Sequence, residues 1–314
     1  MRYKYLFIGV IKRVTPVIAA VNVKGGVGKT TTSIALSLAL AKDKIFNKGK
    51  PVLIIDLAPQ CCMSRYWGLA RVNKVDGSSY PVTNPELNGY KTEYSSVSDL
   101  FLMTLYNKGL SDIEESLVPV PYKTRHELIH VVPSHENNMF SLASLSSDKE
   151  PELAYNLRNW LRSDDIKNNY SCVIIDTPPV KSVLIEAAII AATAVYIPFI
   201  LEPQSIDGVF STIAYIALKN KLRGDDVRLQ SMGLLANMFE KNRLDESQLK
   251  FLRDCSELEA KIMPVQFNRS IEYAGFFVSY KNIENHSDYQ STHMFAKAQL
   301  FALHTVRMLT DFRS

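Results

Sequence analysis

Apolar residues fall along this chain in short unbroken runs more often than in strict alternation. Residues 17–23 (VIAAVNV), 52–57 (VLIIDL), 172–176 (CVIID), 194–199 and 233–238 (GLLANM) each read as a strand. A strand apolar at successive positions sends side chains to both faces of its sheet, so both faces must be covered. Helical spacing fills the stretches between. Helices are expected over residues 30–42, 97–106 and 153–161, the last with Leu153, Leu157, Trp160 and Leu161 recurring at helical intervals. Residues 294–312 read as an amphipathic helix packed on the sheet. Residues 182–201 are nearly apolar over about a bilayer's thickness, but Glu186 interrupts them, Pro198 breaks them, and Val195 and Ile197 favour a strand at their end. A buried helix feeding a buried strand accounts for that segment, and no membrane span is expected. Residues 71–94, rich in Asn, Ser, Gly, Pro and Tyr, are expected to be loop. The pattern predicts an α/β fold, a mostly parallel twisted sheet with helices on both faces. With no shift of composition to divide it, residues 17–314 are expected to form one domain behind a short basic extension, residues 1–16.

Composition narrows the picture. The chain has 314 residues, 46% of them apolar, which is ample for a buried core and excludes a mainly disordered protein. Its four cysteines (Cys61, Cys62, Cys172, Cys255) lack the spacing of a zinc ribbon, and no secretory leader is read at the start, so a reducing cytoplasm is the expected compartment. The net charge of +4 is unevenly spread: residues 1–50 hold ten basic groups and one acid, whereas residues 201–314 hold fourteen of each. A basic start is either a solvated surface or an arm for polyanions.

The chemistry concentrates at residues 21–32, VNVKGGVGKTTT, between a strand and a helix. Gly25, Gly26 and Gly28 let the backbone turn its N–H groups inward around phosphate oxygens, with Val27 contributing to the same loop. Lys29 supplies charge at the β- and γ-phosphates, Thr30 offers a hydroxyl to Mg²⁺, and Thr31 lies on the first helical turn near the α-phosphate. ATP and Mg²⁺ are the expected cofactors. The ordinary phosphate-loop pattern wants glycine at position 23; here Val23 stands there, followed by Lys24.

KGGVGKTT is the deviant Walker A motif, and with it the chain resembles the ParA/MinD family of ATPases. The resemblance implies that Lys24 reaches across a dimer interface to the partner's nucleotide, so that two ATP molecules join two protomers. It continues through Val97-Ser98-Asp99-Leu100, Val131-Val132-Pro133-Ser134, Tyr196-Ile197-Pro198 and residues 202–208, and covers roughly residues 17–274. Asp176, before Thr177-Pro178-Pro179, matches the Walker B aspartate that orders Mg²⁺. In LIIDLAPQ the family pattern D-x-D-P-Q is met by Asp56, Pro59 and Gln60, but Ala58 occupies the place of the second aspartate. In the family that carboxylate orients or activates the attacking water. A methyl group does neither, so slow hydrolysis is expected. Ala58 is either a substitution that traps the ATP-bound dimer or a natural variant that uses ATP as a slow switch. Asn237 and Pro264 are candidate adenine contacts.

The nearest subgroup in these motifs is the DNA-partition ATPases. That implies an ATP-dependent homodimer on non-specific double-stranded DNA, stimulated by a ParB-like centromere-binding protein, cytoplasmic and nucleoid-associated, and not on a membrane. Candidate DNA contacts are Lys219, Lys221, Arg223, Arg243 and Arg269, with Arg228, Lys241 and Arg253 beside them. The alternatives are a MinD-like positioning ATPase held to membranes by residues 294–314, and an ATP-bound scaffold without significant turnover. A nitrogenase-reductase relative is disfavoured by the adjacency of Cys61 and Cys62, and a tyrosine autokinase by the absence of Tyr from residues 290–314.

Overall fold

The computed structural model describes residues 15–88, 92–107, 118–145, 151–221, 229, 231–269 and 293–310. Its strands are β1 (Val17–Ala20), β2 (Val52–Asp56), β3 (Ala70–Val72), β4 (Ser79–Pro81), β5 (Tyr122–Lys123), β6 (Ile129–Val132), β7 (Cys172–Asp176), β8 (Ala194–Phe199), β9 (Ser231–Phe239) and β10 (Ile262–Asn268). Eight form one sheet in the order β10-β9-β8-β1-β7-β2-β6-β5. Every pairing in it is parallel except β5 with β6. The carboxyl ends of β1, β2, β7, β8, β9 and β10 therefore lie along one edge, where open α/β sheets bind their ligands.

Alternate residues of each central strand enter opposite cores. Val17, Ala19, Leu53, Ile55, Val173, Ile175, Val195 and Ile197 face one side. There they meet α4 (Ser98–Asn107), α6 (Pro151–Leu161), α8 (Val183–Ala191), α9 (Pro203–Lys221) and α10 (Arg243–Asp254). Ile18, Ala20, Val52, Ile54, Cys172, Ile174, Ala194 and Tyr196 face the other, against α1 (Lys29–Lys42) and the C-terminal helix, called α12 here (His293–Thr310). Burial on both faces is why the strand sequences carry no polar alternation. Shorter helices complete the chain order: α2 (Lys44–Asn47), α3 (Cys62–Tyr66), α5 (Glu136–Ala143), α7 (Asp164–Asn169) and α11 (Ser256–Glu259).

Two expectations change. The first strand stops at Ala20 rather than at residue 23, because the chain there leaves the sheet to form the phosphate loop. The segment expected to be loop contains an antiparallel hairpin, β3 with β4, and a 3₁₀ turn at Pro85–Leu87. Strands of three residues are too short to show a period. The hairpin is tied down from outside: Arg65 donates to Ser79 Oγ at 2.6 Å, and Ser79 N donates to Glu136 at 2.8 Å.

Ala298, Phe301, Ala302, Val306 and Leu309 of α12 are buried, and the Phe301 ring stands edge-on to Tyr196 and Phe267 at 5.0 and 5.8 Å. These five side chains are thus spent on the core. Among the described residues no helix is long and apolar enough to cross a membrane.

Candidate active site

The glycine loop leaves β1 and enters α1 with Gly26 at φ 74° and Gly28 at φ 86°, a left-handed conformation that glycine adopts without strain. Val27 is fully buried. Lys29, itself buried, curls back over the loop and donates to the carbonyls of Asn22 and Lys24 at 2.9 and 3.0 Å. Lys24 lies further out. Its backbone N–H donates to Asn22 Oδ1 at 2.8 Å, and its ammonium stands 3.8 Å from Glu202 at the start of α9.

Asp56 and Asp176 end neighbouring strands in direct register, and both are fully buried. Thr30 Oγ1 donates to Asp176 Oδ2 at 2.6 Å, which links the first turn of α1 to β7. Asp176 Oδ1 is buried with no hydrogen-bond partner. Two hard oxygen donors, one of them unsatisfied, fit Mg²⁺, which takes few protein ligands and completes its shell with phosphate and water. Among the described residues no cluster of three His, Cys, Asp or Glu could hold a metal ion.

Burial pushes the Asp56 carboxyl up to about 6, against hydrogen bonds from Ser64 and Ala58 that favour its charged form. Asp176 moves up through burial and the neighbouring Asp56 charge, with Thr30 and Lys29 opposing. Lys29 moves down through burial, with Asp176 opposing. A carboxyl that holds its proton more tightly when folded stabilises at low pH and loses that contribution as pH rises from the unfolded value of 3.8 through about 6. Asp56→Asn cannot ionise. Its melting temperature relative to the parent should therefore improve between about pH 4 and about pH 7 without nucleotide; a difference independent of pH contradicts this.

Of the other sequence candidates, Ala58, Thr31 and Asn237 adjoin this centre. Ala58 is 5% exposed, two residues beyond Asp56, and its N–H donates to Asp56 Oδ1 at 3.1 Å. Thr31 is half-buried on α1. Asn237, on β9, donates its amide to Val27 O at 2.9 Å and so grips the glycine loop, a contact the sequence did not disclose. Pro264 is exposed on β10, at the sheet's far side.

Of the expected DNA contacts, Lys219 is a correction. Its ammonium is 2.7 Å from Glu186, with both side chains nearly buried, and Tyr215 donates to the same carboxylate. A lysine held inside by an acid on α8 is not offered to DNA. Lys221, Lys241, Arg243 and Arg253 are exposed. Arg269 is 63% exposed and pairs with Glu240 at 3.0 Å. Lys241, Arg243 and Arg269 follow the ends of β9 and β10, on the same edge as the glycine loop. Arg223 and Arg228 lie outside the described residues.

A strand, a glycine-rich loop with two lysines and a helix, flanked by carboxylates on adjacent strand ends, define a P-loop nucleotide-binding protein. The profile of the AAA domain family matches residues 15–227. The chain belongs to that family, and within it to the ParA/MinD ATPases with the deviant Walker A motif. It is 29% identical to the chromosome partitioning protein ParA of Caulobacter vibrioides over 239 residues, 76% of this chain and 75% of that one. It is 26% identical to the sporulation initiation inhibitor protein Soj of Bacillus subtilis over 243 residues, 76% of this chain and 80% of that one. An Asp-to-Ala variant of Cyanothece McdA in complex with ATP shares the fold, with a TM-score of 0.65 and 18% identity over 92% of this chain and 96% of that one.

Proposed function

We propose that this chain is a partition ATPase in which ATP and Mg²⁺ switch a homodimer onto non-specific DNA. The observation that carries this reading is the buried Asp176, bonded through one oxygen to Thr30 beside the glycine loop and unsatisfied at the other. Gly25, Gly26, Val27 and Gly28 bind phosphate through backbone N–H groups, with Lys29 and Thr31 at the same phosphates and Lys24 directed to the partner protomer's nucleotide. Thr30, Asp56 and Asp176 serve Mg²⁺. When bound, the ion would screen charge that develops on the phosphates; the chain's residues hold and orient the nucleotide. Asn237 holds the loop through Val27 O, and it and Pro264 are the candidate base contacts. Residues 17–314 work as one ATPase domain. A ParB-like protein stimulates hydrolysis, and Ala58 slows it.

The exposed Lys241, Arg243 and Arg269 sit on the nucleotide edge of the sheet, where closure of two protomers brings charge together. Binding to a non-specific duplex should be tight with ATP and weak with ADP or without nucleotide, and should fall with salt. DNA binding that ignores nucleotide overturns the switch. Arg269→Ala should weaken binding alike across sequences and lower the salt slope by about 1. An unchanged slope removes Arg269 from the interface. The buried methyl of Ala58 also favours a second reading, an ATP-bound scaffold that does not turn over. Single-turnover ATP consumption separates the two.

A further inference from the structure

Asp56 is held by more than its own strand. Its Oδ2 accepts two hydrogen bonds from one residue, Ser64, through the backbone N–H at 2.9 Å and the hydroxyl at 2.6 Å. Ser64 Oγ in turn accepts the backbone N–H of Ser134 at 3.0 Å, and all three residues are fully buried. A serine hydroxyl has one proton to give. Here it is committed to Asp56, and Ser134 occupies an acceptor position, so the rotor has no freedom to turn away.

The backbone is shaped to allow this. Cys61, at the head of α3, has φ 53°, a left-handed conformation unusual for a residue with a side chain. The bend turns α3 back so that its third residue lies over the end of β2. Ser134 follows β6, which pairs with β2, so the contact also ties two neighbouring strand ends together. The next residue in α3, Arg65, holds Ser79 and Glu136. A five-residue helix thus grips Asp56 on one side and the hairpin on the other.

We infer that Ser64 is a positioning residue for Asp56, fixing the carboxylate in the orientation from which it serves the magnesium–nucleotide complex. The inference rests on the reading of Asp56 given above. Residues behind a metal-serving carboxylate set its direction, and their loss commonly reduces metal affinity or activity by about 10–100-fold. Ser64→Ala removes the hydroxyl donor and leaves the backbone bond and the helix in place.

The experiment titrates Mg²⁺ against binding of a fluorescent ATP analogue, with single-turnover ATP consumption followed alongside. In Ser64→Ala the Mg²⁺ concentration for half-maximal binding should rise about 10-fold or more, with analogue affinity in EDTA unchanged. Ser64→Thr keeps the hydroxyl and should stay close to the parent. Ser64→Cys, nearly the same size but a poor donor, should follow the alanine variant and avoids its cavity. An unmoved Mg²⁺ midpoint in the alanine and cysteine variants overturns the inference. So does an equal shift in all three, which marks a packing effect. Analogue binding by the parent that ignores Mg²⁺ overturns the reading of Asp56 itself, and with it this inference.

Discussion

Ala58→Asp should raise ATP turnover by roughly 10²–10⁴-fold, the contribution of a positioned proton acceptor. The backbone at this position is already set. Ala58 N donates to Asp56 Oδ1 at 3.1 Å, and Ala58 O accepts from Cys61 N at 3.0 Å. The change therefore adds a carboxyl to a backbone already held by two hydrogen bonds. That carboxyl would stand near the ends of β2 and β7, where Asp56 and Asp176 are already crowded. Like charge and burial both raise its proton affinity, and a raised carboxyl is a better general base than an exposed one. Phosphate release measured under saturating Mg²⁺ and ATP is the direct check. Ala58→Asn divides the effect in two: its amide can hold a water but cannot accept the proton. Turnover that rises with Asn as far as with Asp assigns the gain to positioning alone. Turnover unchanged by Asp removes position 58 from the chemistry.

The parts of this site that sequence discloses are those imposed by backbone geometry. Gly26 and Gly28 are readable because positive φ and close approach admit little else, and Asp56 and Asp176 because they end apolar runs at a sheet's ligand edge. What stays hidden depends on contacts between distant segments. Ser64 lies in a helix of five residues, too short for a period, and its partner Ser134 is 70 positions away. Asn237 reaches Val27 across 210 positions. Lys219 misleads because a lone lysine reads as solvated. The available clue lay elsewhere, in Glu186, an acid inside the apolar helix α8 that needs a buried cation. The hairpin β3–β4 escapes because hydrogen bonds from Arg65 and to Glu136, rather than apolar alternation, hold it in place.

Gly28→Ala should lower stability by about 2–5 kcal/mol and abolish ATP binding, and Asn237 decides how the loss divides. Two costs combine. At φ 86° a side chain is strained by about 1–2 kcal/mol. A Cβ there would also stand 2.1 Å from Asn237 Nδ2, far inside contact distance. The amide must withdraw, and its hydrogen bond to Val27 O goes with it, leaving a carbonyl unpaired at a cost of about 1–3 kcal/mol. Asn237→Ala alone orphans the same carbonyl but imposes no strain at residue 28. In the double variant the carbonyl can be orphaned only once. The two changes should therefore fall short of additivity by about 1–3 kcal/mol in denaturant unfolding. Strict additivity would mean that the methyl is accommodated without breaking the Asn237–Val27 bond, and the shared cost argued here would be wrong. A shortfall of the expected size makes that bond a physical link between nucleotide loop and basic edge, because the strand that holds Val27 continues directly into Glu240, Lys241 and Arg243.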